Sequence, residues 1–208
     1  MKRLETSMAK LHEYRVLFIV VTGILTLLVA SPALSRILVY PRTDFFTELW
    51  ILGPNHTAEN YPFNITSSQN YNIFLGIGNQ LGYCAYYSVE VKFRNETQSA
   101  PNSFNFTPSA LPSLFNITAF VADQSTWELP LTFSFDYVFN ETLLRVDFQS
   151  MVLNGVALDL NGYSTSWNAS MRMFPVNLVF ELWLYNATTS SFQYNERYVG
   201  LWFNMTSS

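Results

Sequence analysis

Residues 131–139 read LTFSFDYVF, and this stretch decides the fold class because large apolar side chains occupy every second position. A period of two puts one set of side chains on one face of a β-strand, whereas a helix repeats every 3.6 residues. The same period recurs in YNIFLGIG at 71–78, YSVEVKF at 87–93 and LRVDFQ at 144–149. The sequence therefore predicts several strands that each bury one face.

Turn signals separate these strands and favour antiparallel pairing. Asn154-Gly155 and Asn161-Gly162 each lie between apolar residues, which predicts two tight hairpins. A third hairpin is predicted between residues 179–185 and 193–204, and a long loop over residues 97–112. We expect residues 45–208 to form an all-β, antiparallel sandwich of about eight to eleven strands.

The amino-terminal segment predicts a membrane helix. Residues 16–34 contain no charge, and residues 1–15 contain four Lys or Arg against two Glu, which favours a cytoplasmic amino terminus. We interpret 1–15 as a cytoplasmic n-region and 16–34 as a signal-anchor that contacts membrane lipid. The alternative is a signal peptide cleaved after Ala33, because Ser31 and Ala33 are small.

Nine Asn-x-Ser/Thr triplets follow residue 50, whereas the composition would give about three by chance. They predict an extracellular domain at the cell membrane, modified by N-linked glycans. The predicted acceptors are Asn55, Asn64, Asn95, Asn105, Asn116, Asn140, Asn168, Asn186 and Asn204.

Charge and cysteine content exclude several classes of protein. Lys92 is the only lysine beyond the membrane segment, so a basic surface for nucleic acid is not expected. Cys84 is the only cysteine, which excludes an intrachain disulfide. We expect Cys84 to be a small buried apolar residue, with a covalent dimer as the alternative.

The sequence does not favour catalysis. His12 precedes the membrane segment and His56 lies inside a glycosylation triplet, so a Ser–His–Asp triad or a zinc site is not expected. Glu90, Asp136 and Asp147 alternate with apolar residues and are predicted to lie on solvated faces. The segment 159–162 (DLNG) fits a hairpin better than a calcium loop. We expect no enzyme activity, metal or cofactor.

Three further features leave alternatives open. The last hairpin, which contains Trp183 and Trp202, has apolar or aromatic residues on both faces. This pattern indicates either a face covered by other parts of the chain or a protein-contact surface. Residues 35–44 are a stalk, a first strand, or, within 34–43, a strand donated to a neighbouring subunit of a surface filament. Lys92 could form an intramolecular isopeptide bond.

One motif carries a resemblance to a known family. Residues 46–54 (FTELWILGP) and 58–62 (AENYP), followed by GIGN at 76–79, are similar to the extracytoplasmic domain of an archaeal membrane-protein family of unknown function. The resemblance implies an immunoglobulin-like sandwich at an archaeal cell surface. The most favoured function is a non-catalytic structural or accessory subunit of a membrane or envelope assembly, with one or more protein partners, for which a copy of itself is one alternative. The alternatives are the filament subunit and a carbohydrate-binding module or enzyme.

Overall fold

The structure, a computed structural model, describes the backbone of residues 2–37 and 44–207 and the side chains of residues 14–31 and 44–207. The chain divides into two units, Met1–Thr43 and Asp44–Ser208. The first contains one helix, α1 (Lys2–Ile37). The second contains eleven β-strands and, among its described residues, no helix.

Helix α1 confirms the prediction of one amino-terminal apolar helix. Its segment Tyr14–Ser31 has a mean hydropathy of 2.1, and none of these side chains is buried. Eighteen helical residues extend about 27 Å, close to the thickness of a bilayer hydrocarbon core. Such a helix suits an anchor or a signal sequence. Residues 35–37 continue α1 and residues 38–43 lie outside the described residues, so a strand or stalk over 35–44 stays a prediction.

The eleven strands lie within the predicted range of eight to eleven. They are β1 Phe46–Leu52, β2 Asn64–Thr66, β3 Tyr71–Gln80, β4 Ala85–Asn95, β5 Phe115–Val121, β6 Ser125–Asn140, β7 Arg145–Leu153, β8 Val156–Asp159, β9 Ser164–Ser166, β10 Pro175–Asn186 and β11 Ser191–Thr206. Sheet 1 has the order β1-β3-β6-β7-β8, and β9 also pairs with β7. Sheet 2 has the order β2-β11-β10-β4-β5.

Strand pairing is antiparallel except at one edge. Strand β2 runs parallel to the end of β11, with Ile65 opposite Met205, so the prediction of a wholly antiparallel fold was wrong there. The strand is only three residues long and contains no alternation that could have revealed it. Tyr137 of sheet 1 reaches this edge: its hydroxyl oxygen lies 2.6 Å from the carbonyl oxygen of Ile65 and 2.8 Å from that of Thr206.

An aromatic core joins the two sheets, and the predicted alternation accounts for it. Phe133 and Phe135 of β6 are fully buried, as are Phe93 of β4 and Phe203 of β11. The ring of Phe135 lies 5.8 Å from that of Phe93, and the ring of Phe133 lies 5.3 Å from that of Phe203. Burying a side chain of this size contributes about 1.5–3 kcal/mol, so these four rings are a large part of what holds the sheets together.

The turn predictions had mixed outcomes. Asn154 and Gly155 both have positive φ, 46° and 82°, and they join β7 to β8 in the predicted two-residue hairpin. Asn161-Gly162 does not form a hairpin, because β8 and β9 both pair with β7 and not with each other. The turn only redirects the chain along one edge. The hairpin of β10 and β11 and the loop between β4 and β5 match the prediction.

Candidate functional site

The nine predicted glycan acceptors all lie in the strand-rich unit, and none of their side chains is buried. Four are exposed: Asn55, Asn64, Asn105 and Asn116. Five are partly exposed: Asn95, Asn140, Asn168, Asn186 and Asn204. They occupy turns, strand ends and the edge strand β5. A transferase that needs access to the Asn Nδ2 atom would therefore find each acceptor at the surface.

Three acceptors have the same local geometry. The Oδ1 atoms of Asn95, Asn168 and Asn186 accept hydrogen bonds from the backbone N–H two residues later, at 3.0, 2.9 and 2.9 Å. This Asx turn brings the hydroxyl residue of the triplet back beside the amide. In the first triplet, the Thr97 hydroxyl also donates to Asn95 Oδ1 at 2.7 Å.

The side-chain amides of several predicted glycan acceptors already form hydrogen bonds with other protein groups. The Nδ2 atom of Asn95 donates to the Ser164 carbonyl at 3.0 Å, and that of Asn204 donates to Asn64 Oδ1 at 2.9 Å. An amide nitrogen has two protons, and a glycosidic bond replaces one, so the other can keep its hydrogen bond. Asn64 and Asn204 are both predicted glycan acceptors, so glycans attached to them would leave the surface side by side.

A cavity of about 470 Å³ lies beside Trp167 and Phe174. Trp167 is 41% exposed, and its ring meets that of Phe174 edge to face at 5.1 Å. Asn140 and Asn204 also line this cavity. Both are predicted glycan acceptors, and sugar attached to them would compete with a free ligand for the space.

The outer face of sheet 2 contains a buried polar cluster, which we call the Lys92 cluster: Lys92, Glu90, Glu181 and Ser109. Lys92 and Glu181 lie diagonally on neighbouring strands β4 and β10, and their side chains are 4% and 0% exposed. The Lys92 Nζ atom lies 2.8 Å from Glu181 Oε2, 3.0 Å from Glu90 Oε2 and 3.4 Å from the Ser109 carbonyl oxygen. Its three protons therefore have three acceptors.

The loop between β4 and β5 covers this cluster. Ser109 is buried, and both its backbone N–H, at 3.0 Å, and its hydroxyl donate to Glu181 Oε1. The loop thus closes over Lys92 and Glu181 and removes them from water. Sequence analysis placed Glu90 on a solvated face, and its side chain is 25% exposed, but Lys92 and Glu181 on the same face are buried. The alternation separates polar from apolar faces but does not reveal a covering loop.

Aromatic side chains border the Lys92 cluster on β10 and β11. The ring of Trp183 lies 5.9 Å from Lys92 Nζ and meets Tyr194 edge to face at 5.6 Å. Burial, and next the negative charge of Glu181, raise the pKa of Tyr194 to about 12. Trp202 is 38% exposed, with the Arg94 guanidinium 4.8 Å from its ring centre. The outer face is therefore covered around Trp183 and partly open around Trp202.

A second group of rings lies at the other end of the same face. Phe120 is 72% exposed, and its ring stacks on Tyr86 at 4.2 Å with an angle of 12°. Tyr185 and Phe192 flank Tyr86 at 5.9 and 5.2 Å. This patch is the part of the surface that best fits the predicted contact face.

The remaining candidates for chemistry have structural partners. His56 Nδ1 lies 3.8 Å from Glu128, and its ring lies 3.7 Å from that of Phe74. Asp136 accepts from the hydroxyls of Ser68 and Ser150 at 2.6 and 3.1 Å. Among the described residues, no three His, Cys, Asp or Glu side chains are arranged to hold a metal ion.

Two further predictions can be compared with the structure. Cys84 is exposed, so its expected role as a buried apolar residue was wrong; it lies in the turn just before β4 begins. Asp147 is 39% exposed, in agreement with a solvated face, and its Oδ1 lies 2.8 Å from Arg145 Nε.

The residues that gave the family resemblance serve the fold. Trp50 of β1 lies opposite Gly76 of β3, and a Cβ atom at Gly76 would lie 2.1 Å from the indole ring. Only glycine admits this close approach. The indole N–H donates to Glu128 at 3.3 Å, and the Tyr61 hydroxyl donates to the Ile51 carbonyl at 2.8 Å. These contacts fix β1 and its following turn, and none points to a reaction.

Comparisons with solved structures give only distant similarity. A β-glucosidase from Listeria innocua in complex with glucose aligns with 80% of this chain at 7% identity and a TM-score of 0.40. The aligned part is 17% of the glucosidase, so the chain spans about a sixth of that protein's length. A chain of the complex between Zinc 2-glycoprotein and Prolactin inducible protein from human seminal plasma aligns over its whole length, at 8% identity and a TM-score of 0.37.

A comparison with protein families is more informative. No curated protein matches the chain. A family model described as a domain of unknown function, DUF1616, matches residues 41–148, which include the motif around Trp50 and strands β1 to β6. Because this match covers half of the 208 residues, the chain belongs to the DUF1616 family.

Proposed function

We propose that this protein is a non-catalytic, single-pass, heavily N-glycosylated cell-surface protein that acts as a structural or accessory subunit of a membrane or envelope assembly. The observation that carries the proposal is that nine acceptor triplets lie in one unit and all nine Asn side chains reach solvent. A glycan cannot be accommodated on a packed side chain, so the distribution suits a domain made for an extracytoplasmic compartment.

The proposed topology places the amino terminus in the cytoplasm and residues 44–207 outside. Helix α1 supports it, because Tyr14–Ser31 is long and apolar enough to cross a bilayer. The four Lys and Arg residues before this segment support the orientation, since positive residues are retained on the cytoplasmic side. An archaeal origin is part of the same proposal and rests on the sequence resemblance alone.

We also assign the sandwich to the immunoglobulin-like class. Strand order supports this: β1-β3-β6 in one sheet and β11-β10-β4-β5 in the other correspond to strands A-B-E and G-F-C-C′. The short parallel strand β2 beside β11 fits a first strand that divides between both sheets. Strands β7 to β9 are then an insertion between the strands that correspond to E and F.

The alternative functions have weaker support. A donated strand over 34–43 would have to be extended, whereas residues 34–37 lie in helix α1. The best candidate for a sugar-binding groove is the cavity at Trp167, but two of the predicted glycan acceptors line this cavity. The exposed patch at Phe120 instead suits the accessory-subunit function, since aromatic side chains are enriched in protein interfaces.

Glycan mapping of the full-length protein in its native membranes tests the topology. We expect Asn186→Gln to lower the mass by one glycan, because this partly exposed acceptor ends β10 just before a turn. The matched control Asn161→Gln, which is outside any triplet, should leave the glycan mass unchanged. Retention of residues 2–33 at the amino terminus is also expected. A chain without glycans, or one that begins near Leu34, would contradict the proposal.

Native electrophoresis of a mild detergent extract tests the subunit role. We expect the protein to migrate with a stable partner and Phe120→Ser to weaken that association without lowering the amount of protein. Val138→Ser, which changes another exposed apolar side chain, is the matched control. A lone monomer in the extract would contradict the assembly role.

A further inference from the structure

Lys92 and Glu181 are the most completely buried charged side chains of the described part of the strand-rich unit, 4% and 0% exposed. Glu90 is the third charge of the cluster and its side chain is 25% exposed. One ammonium group therefore faces two carboxylates beneath a loop. Burying charges costs free energy, and an unequal number of them costs more. A reaction that removes one ammonium and one carboxylate together would remove the cost of burying these two charges.

We propose that Lys92 and Glu181 condense spontaneously into an isopeptide bond that joins β4 to β10. The nucleophile would be Lys92 Nζ, which lies 2.8 Å from Glu181 Oε2. The atom under attack would be Cδ, to which this oxygen is bonded, so the hydrogen bond holds the amine beside the carbon with which it would react. Strands β4 and β10 are neighbours at the centre of sheet 2, so the geometry is maintained by their pairing on both sides.

Ser109 provides the groups that would activate the Glu181 carboxyl. Its backbone N–H and its hydroxyl both donate to Oε1, the oxygen that Lys92 does not contact. Two donors on one oxygen stabilise the negative charge that develops there when an amine attacks the carbon, as in an oxyanion hole. The covering loop thus supplies both the dry environment and the donors.

Glu90 is in position to move the proton. The ammonium of Lys92 first passes one proton to Glu181 Oε2, which gives a neutral amine and a neutral carboxylic acid. The amine attacks Cδ, and the Glu90 carboxylate, 3.0 Å from Nζ, takes the second proton. Glu90 returns that proton to the departing hydroxyl. The C–N bond forms, the C–Oε2 bond breaks, one water leaves, and Glu90 ends unchanged.

The product would keep most of the hydrogen bonds of the site. The new amide carbonyl, formerly Oε1, would keep the two donors of Ser109. The new amide N–H would face the Glu90 carboxylate. Only Glu90 would then remain charged, and its side chain is the one that reaches solvent. A cross-link between distant parts of the sequence would also restrict the unfolded chain.

Intact-mass measurement of the full-length chain, produced in a host without N-glycosylation, tests the proposal. We expect a mass about 18 Da below the mass calculated from the amino-acid sequence, because one water is lost. Lys92→Arg keeps the positive charge but has no nucleophilic amine, so this variant should have its full mass. Glu90→Gln keeps both reacting groups and removes the base, so we expect most of its molecules to have the full mass.

A tryptic digest of the denatured protein locates the bond. An amide at Lys92 blocks cleavage after this residue, so the expected product is the peptide 43–94 joined to the peptide 173–197. Wild-type protein of full mass that is cleaved after Lys92 would overturn the proposal. So would a water loss that maps to other residues. Both results come from the wild-type chain, so the test does not depend on whether a variant folds.

Discussion

The two faces of sheet 2 bury side chains in different ways. On the inner face, β4 and β10 present Tyr87, Val89 and Phe180, which are fully buried against sheet 1. On the outer face, the same strands present Lys92 and Glu181, which are equally buried beneath a loop. The first face depends on apolar contact, and the second depends on the ion pairs and hydrogen bonds of the Lys92 cluster. The comparison shows that a polar face in a strand pattern is not necessarily a solvated one.

The largest expected effect belongs to the core between the inner face of sheet 2 and sheet 1, where Phe135 of β6 lies. Phe135→Ala removes a fully buried ring that contacts both sheets, and it should lower the free energy of unfolding by about 3–5 kcal/mol. Chemical denaturation of the detergent-solubilised chain measures this change. Val138→Ala alters an exposed residue of the same strand and should stay within about 0.5 kcal/mol of wild type. Equal losses would show that the sheets do not pack through Phe135.

A charge substitution on the outer face should have the next largest effect. Lys92→Met leaves two carboxylates without a cation, whereas Lys92→Arg keeps the charge; neither can form an amide. We expect the Met variant to be less stable than the Arg variant by about 3 kcal/mol. The same denaturation experiment compares them. If the two variants are equally stable, the outer face is solvated after all.

Ser109 tests whether the loop is part of the buried site. Ser109→Ala removes the hydroxyl that donates to Glu181 and should cost about 1–3 kcal/mol. Ser103→Ala, an exposed position in the same loop, is the control and should change little. We expect the Ser109 variant also to exchange the amides of residues 97–112 faster in hydrogen-exchange measurements. Unchanged exchange would mean that the loop is held by other contacts.

The smallest effect is a dependence of stability on pH, which comes from Tyr137 on β6 of sheet 1. Burial raises the pKa of Tyr137 from 10.0 in the unfolded chain to about 12 in the fold. Its contribution to stability is complete below pH 10 and is lost as the pH rises toward 12, because the unfolded chain ionises first. Tyr137→Phe should make the stability curve flatter over this range in thermal melts. A curve as steep as that of wild type would assign the dependence to other groups, such as Tyr194.

Local patterns in the sequence were sufficient for the architecture of the inner face. Alternation identified β3, β4, β6 and β7 because one face of each strand meets an apolar core, and it correctly separated Phe133 and Phe135 from their polar neighbours. Asn154-Gly155 gave a hairpin because positive φ is a local requirement. The nine triplets and the apolar helix are local as well, so the hypothesis of a glycosylated surface protein came from sequence alone.

Long-range contacts were decided only by the tertiary structure. The partner of Lys92 is Glu181, far away in the chain, and the loop that buries them has no pattern that predicts where it folds. Asn161-Gly162 has the same local signal as Asn154-Gly155, yet β9 pairs with β7 because that edge was free. The parallel strand β2 and the exposure of Cys84 are similar cases. Sequence determined which faces are apolar, and three-dimensional packing determined which faces are buried from solvent.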